Sequence, residues 1–209
     1  MAPTPEGKQV FGEYNWQTYR ETDEIAQKFA KGLMVMDLCP EIEGEGSLWR
    51  FLGIWAKNRK EWTTGLLSCM HYGITTVGFY DAMGFAQVDF ILDQTEMKTI
   101  LVSLDYAAKL IEMKKNGLAG YLDTVITIEE APADMKELAL QQNLNLHSFA
   151  HVCEMGEGGA SPDFKEPAAD DVHVFSYTSG TTGDAKGVKL SHKNLLSMTR
   201  CAVKRLEAG

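Results

Sequence analysis

The feature of this sequence that most limits its fold is an alternation of two periods. Short, continuous apolar or β-branched runs at 51–56, 74–79, 99–103 and 124–128 are separated by segments at 61–72, 86–92 and 106–115 in which apolar residues recur every three or four positions. A short apolar run leaves no polar face for solvent and marks a strand covered on both sides, whereas the three-to-four spacing gives a helix one apolar stripe. Helical segments long enough to cross over a sheet join strands in parallel. The pattern therefore predicts an α/β fold, with parallel β-sheet layers, flanking helices and ligands at the strand ends.

Further helical spacing covers 18–36, where Ile25, Phe29, Leu33 and Met36 form the stripe and Cys39-Pro40 ends it, and 133–142. Composition reads Glu41 through Ser47 as a loop. These elements make residues 1–150 an N-terminal α/β part. The Gly-, Glu- and Asp-rich stretch 151–171 reads as an exposed connection, and 172–209 as a strand-loop-strand-helix segment. The chain shows no internal repeat. Its 209 residues, 44% of them apolar, suffice for a real core.

Charge narrows the partners. A net charge of −9 repels a polyphosphate backbone over most of the surface and speaks against general nucleic-acid binding. One window runs the other way: Lys186, Lys189, Lys193, Arg200, Lys204 and Arg205 stand against Asp184 alone. By itself that run reads as a solvated basic helix face. Cysteines 39, 69, 153 and 201 form no CxxC pair and read as reduced thiols. With no run of eighteen apolar residues and no apolar core in the first residues, the chain is expected to be intracellular. Cytoplasm is the expected location, with the cytosolic face of the endoplasmic reticulum or another membrane left open through peripheral association.

The chemistry concentrates after 172. A strand-like stretch, Val172-His173-Val174-Phe175-Ser176-Tyr177, runs into Thr178-Ser179-Gly180-Thr181-Thr182-Gly183-Asp184-Ala185-Lys186-Gly187. The glycines permit positive φ and close backbone approach, the hydroxyls of Thr178, Ser179, Thr181 and Thr182 add donors, and Lys186 adds a mobile charge. That composition is a phosphate cradle, with a flexible hairpin turn as the bland alternative. It is not a Walker A loop, because Lys186 follows Ala185 and precedes Gly187. A short strand at 188–190 follows, and Ser191 can cap a helix carrying Leu195, Met198, Ala202 and Leu206.

The stretch from Tyr177 to His192 resembles the YTSGTTGxPKGVxLSH signature of the AMP-forming adenylating enzymes, the acyl-CoA synthetase and luciferase superfamily, with Ala185 where the family usually has proline. Upstream stretches at 15–21, 53–62, 76–84 and 90–96 resemble its long-chain fatty-acid CoA ligase branch. The resemblance implies the N-terminal part of the large domain of the adenylating-enzyme fold. It also implies ATP with Mg²⁺, a long-chain fatty acid and coenzyme A as substrates, reacting through an acyl-adenylate. Thr178, Ser179, Gly180, Thr181, Thr182, Gly183 and Lys186 would hold the β- and γ-phosphates, and Lys186 would be the catalytic group steadying the departing pyrophosphate. No later adenine, ribose or adenylation-lysine motif follows within the 209 residues. The resemblance thus implies the N-terminal portion of a longer synthetase, with its C-terminal part absent, that completes neither half-reaction alone. Two other readings stay open: a truncated, non-catalytic nucleotide- or partner-binding paralogue, and an AMP-forming synthetase for another carboxylic acid.

Lesser signals are read as structural. His147 and His151 share a helical spacing but lack the HExxH pattern and a third ligand, so no metal site is expected. Trp55, Trp62, Phe51 and Tyr72 read as core aromatics. His192 reads as a structural or capping residue beside Ser191.

Overall fold

In a computed structural model, which describes residues 12–158, 166–178 and 185–207, the predicted α/β architecture is present as one seven-stranded sheet. Helix α1 (Tyr19–Val35) opens with a capping box. Glu21 N–H donates to Thr18 Oγ1 at 3.2 Å, and the Thr18 N–H donates to the Glu21 carboxylate at 2.7 Å. A small antiparallel hairpin, β1 (Ile42–Gly44) and β2 (Ser47–Trp49), follows, turning on Glu45 and Gly46 at positive φ. Then come β3 (Phe51–Trp55), α2 (Lys60–His71), β4 (Thr75–Gly78), α3 (Phe85–Thr95), β5 (Thr99–Val102), α4 (Leu104–Lys115), β6 (Thr124–Thr127) and α5 (Ala133–Gln141). The chain continues through β7 (Asn145–Ser148), α6 (Phe149–Gly158), β8 (Val172–Thr178), β9 (Lys186–Ser191) and α7 (His192–Glu207).

The strand order is β7-β6-β5-β3-β4-β8-β9, parallel throughout except for β9, which runs antiparallel to β8 at the edge. All five residues of β3 are buried, and they alternate between two cores. Phe51 and Trp55 join Val88, Ile91, Tyr106 and Leu110 beneath α3 and α4, while Leu52 and Ile54 join Phe29, Leu33 and Val152 beneath α1 and α6. Covering both faces this way explains why the central strands read as unbroken apolar runs.

Two sequence expectations are corrected. Residues 151–158, assigned to an exposed connection, are the greater part of α6, which buries Val152 and Gly156. Its glycine is a packing device: a Cβ on Gly156 would lie 1.9 Å from the Lys28 carbonyl oxygen, and one on Gly32 would lie 1.9 Å from that of Val152. Helices α1 and α6 therefore touch backbone to backbone, and glycine is there for close approach rather than for a turn. The stretch 41–47, assigned to a loop, carries the β1–β2 hairpin, whose Trp49 indole donates to the Gly44 carbonyl at 2.8 Å.

Candidate functional site

The two strands that flank the glycine-rich stretch form one hairpin on the sheet edge. β8 lies parallel to β4, with Thr76 opposite Val174 and Val77 opposite Phe175, so its C-terminal end points the same way as those of the other parallel strands. That end is where open α/β sheets bind ligands. β9 returns antiparallel, and the pair Thr178–Lys186 closes the hairpin around the intervening segment. Thr178 and Lys186 are both exposed at this mouth, and Lys186 pairs with no acidic side chain among the described residues. Ser179, Gly180, Thr181, Thr182 and Gly183 lie outside the described residues. Ala185, at the position usual for proline in the signature, leans on the core shared by β3 and α3.

One pair below the mouth, Tyr177 stands opposite Gly187 and is 3% exposed. Its hydroxyl donates to Gln94 Oε1 at 2.7 Å, and burial pushes the phenol up to about 12, so it stays a donor. Two pairs lower, Lys189 forms an ion pair with Glu45 at the β1–β2 turn and lies over the rings of Trp49 (5.1 Å) and Phe175 (5.8 Å). The hairpin is thus tied to α3 and to β1–β2. Neither tie was visible in the sequence, since Tyr177 and Gln94 lie 83 residues apart and Lys189 and Glu45 lie 144 apart.

After β9, Ser191 and Asn194 cap α7 reciprocally: Asn194 N–H donates to Ser191 Oγ at 3.3 Å, and Ser191 N–H donates to Asn194 Oδ1 at 3.0 Å. His192 stacks on His173 of β8 with ring centroids 4.9 Å apart. His173 is 1% exposed, and neither of its ring nitrogens finds a partner among the described residues. Burial, with a smaller push from His192, brings the His173 imidazole down to about 4. His192 is also lowered by burial, against an opposing pull from Asp171. Both rings are neutral at pH 7.

On the α2 side of β4 and β8, a groove of about 910 Å³ is lined by Trp62, Leu66, Tyr80, Val174, Leu190 and Leu195. Trp62 therefore borders this groove as well as the core, a departure from the purely core role expected for it. His147 and His151 stack at 5.6 Å beside Lys136 and Glu130, and no group of three metal-ligating side chains exists among the described residues. No helix among them is long and apolar enough to cross a membrane.

The parallel sheet, its edge hairpin and the signature across that hairpin define a class, and the comparison with known families names it. The AMP-binding enzyme family matches residues 2–208, and the chain belongs to that family. Among curated relatives, long chain acyl-CoA synthetase 5 of Arabidopsis thaliana is 31% identical over 90% of this chain and 27% of its own length. Long-chain-fatty-acid–CoA ligase 5 of Rattus norvegicus is 27% identical over 93% of this chain and 28% of its own length. The chain thus spans little more than a quarter of the curated relatives it matches. Among solved structures, the A domain of carboxylic acid reductase from Segniliparus rugosus, in complex with AMP and a co-purified carboxylic acid, superposes with a TM-score of 0.68 at 16% identity, covering 92% of this chain and 32% of that one. ATP-bound MatB from Rhodopseudomonas palustris superposes with a TM-score of 0.58 at 19% identity, covering 89% and 32%. At these identities the likeness shows the fold.

Proposed function

We propose that this chain is the phosphate-binding portion of an AMP-forming acyl-CoA ligase that acts on long-chain fatty acids. The observation that carries the reading is the position of the signature: it spans the edge hairpin at the C-terminal end of a parallel strand, with Lys186 exposed at the mouth. In the proposed reaction a carboxylate oxygen of the fatty acid attacks the α-phosphorus of ATP, brought in as its Mg²⁺ complex. The bond to the β-phosphate breaks and pyrophosphate leaves. The coenzyme A thiol, losing its proton, then attacks the acyl carbon, forming the thioester and releasing AMP.

Charge builds on the β- and γ-phosphates in the first step. Lys186 supplies a cation there, and Thr178, Ser179, Gly180, Thr181, Thr182 and Gly183 supply hydroxyl and backbone N–H donors, the arrangement that stabilises a departing pyrophosphate. The apolar groove beside β8 offers a surface to an acyl chain on the same sheet. The names of the matched synthetases support the long-chain assignment. A cytosolic location, with peripheral contact to a membrane that supplies the fatty acid, fits that substrate.

ATP–pyrophosphate exchange by the protein in its full natural length, assayed against a panel of carboxylic acids, tests the reading. Exchange that depends on long-chain acids is expected. Exchange only with short or aromatic acids would move the substrate assignment, and ATP binding without exchange under any acid would favour a non-catalytic role.

A further inference from the structure

Residues 90–96 share the resemblance to the long-chain branch and lie far from the glycine-rich stretch in sequence. Their Gln94, in the last turn of α3, nevertheless reaches the base of the β8–β9 hairpin through the 2.7 Å bond from Tyr177. The ring of Tyr177 also covers the opposite strand, since a Cβ on Gly187 would lie 3.2 Å from its Cζ. Residues 186–189 of β9 are exposed and pair only with β8, so a side-chain tie adds to the backbone ladder on the one side that holds this edge strand. The next pair outward is Thr178–Lys186, the mouth itself.

We propose that Tyr177 is a positioning residue for phosphate binding, holding Gly187 and with it Lys186 at a set distance from Thr178 through its hydrogen bond to Gln94. The proposal rests on the reading of 178–186 as the phosphate loop. Its physical basis is preorganisation: donors already held in place need not be ordered when a triphosphate arrives, and that ordering is subtracted from affinity. Two features suit Tyr177 to the task. Its phenol keeps its proton, and its partner sits on a helix packed in the core rather than on another loop.

The test is the dissociation constant for Mg²⁺–ATP of the full chain, read with amide hydrogen exchange at residues 186–188. Tyr177→Phe removes only the donor, and Gln94→Leu only the acceptor. Each is expected to weaken ATP binding about fivefold, the worth of one hydrogen bond, and to speed exchange at 186–188 by a similar factor. The double variant should be no worse than either single change, and Gln94→Glu, which still accepts from the phenol, should restore both readouts. Any fall in the urea midpoint should be small and should not rank the variants as ATP affinity does. Unchanged ATP affinity in Tyr177→Phe, additive losses in the double variant, or losses that follow the urea midpoint would each overturn the positioning role. A parent chain whose ATP affinity is untouched by Lys186→Ala would instead overturn the phosphate-loop reading, and the proposal with it.

Discussion

Replacing His173 by phenylalanine should reduce the chain's sensitivity to mild acid. The imidazole is 1% exposed, stacked on His192 and, among the described residues, without a partner at either nitrogen, so a proton placed on it has no hydrogen bond there to offset its charge. Its value falls from about 6.5 in the unfolded chain to about 4 in the folded one. A lowered folded value means that the unfolded state takes up the proton first, so the stability is complete above about pH 6.5 and is lost as pH falls toward about 4. Between pH 7 and about pH 4.5 this single group should cost about 2 kcal/mol. His192, lowered in the same direction, adds to the loss. Urea unfolding of parent and His173→Phe at both pH values measures the difference directly, because carboxylate titration is common to both and cancels. The variant keeps the stack with His192 and loses two orphaned polar atoms, so at pH 7 it should be as stable as the parent or about 1 kcal/mol more stable. An identical pH dependence in the two proteins would mean that His173 takes up its proton in place at no cost to the fold, contrary to its burial.

Gly156→Ala should destabilise the chain by about 2–3 kcal/mol in urea melts, because the new Cβ meets the Lys28 carbonyl at 1.9 Å and α6 must move away from α1. An unchanged midpoint would show that the helices separate freely. The thiols should label in a set order with a maleimide in native buffer: exposed Cys201 first, then Cys153, whose value burial raises to about 11. Cys39 and Cys69, both buried and with Cys69 raised to about 12, should stay unlabelled until urea is added. Rapid labelling of Cys69 would contradict the packing of α2 on β4.

The parts of this fold legible in the sequence are those buried on both faces. β3, β4, β5 and β6 announce themselves because α1, α2 and α6 cover one side of the sheet and α3, α4 and α5 the other. β7 was missed because Asn145, Leu146, His147 and Ser148 form the far edge strand, where partial exposure leaves no apolar run. α6 was misread because its glycines look like turn residues, although Gly156 is needed for contact with a helix more than a hundred residues earlier. The signature around Lys186 was recognisable from its residue types alone, through the resemblance they carry. The supports beneath it were not, since the bonds Tyr177–Gln94 and Lys189–Glu45 and the stack His173–His192 join residues that no local pattern connects.

In the proposed reaction Lys186, at the mouth of the β8–β9 hairpin, meets the phosphates of ATP during adenylation. The most direct measurement is long-chain-fatty-acid-dependent ATP–pyrophosphate exchange in the protein at its full natural length, comparing Lys186 with Lys186→Ala. Lys186 is exposed, so the substitution should leave the urea midpoint within about 0.5 kcal/mol. Loss of the cation at the departing pyrophosphate should slow exchange about a hundredfold. Exchange at the parent rate in a well-folded variant would remove Lys186 from the mechanism.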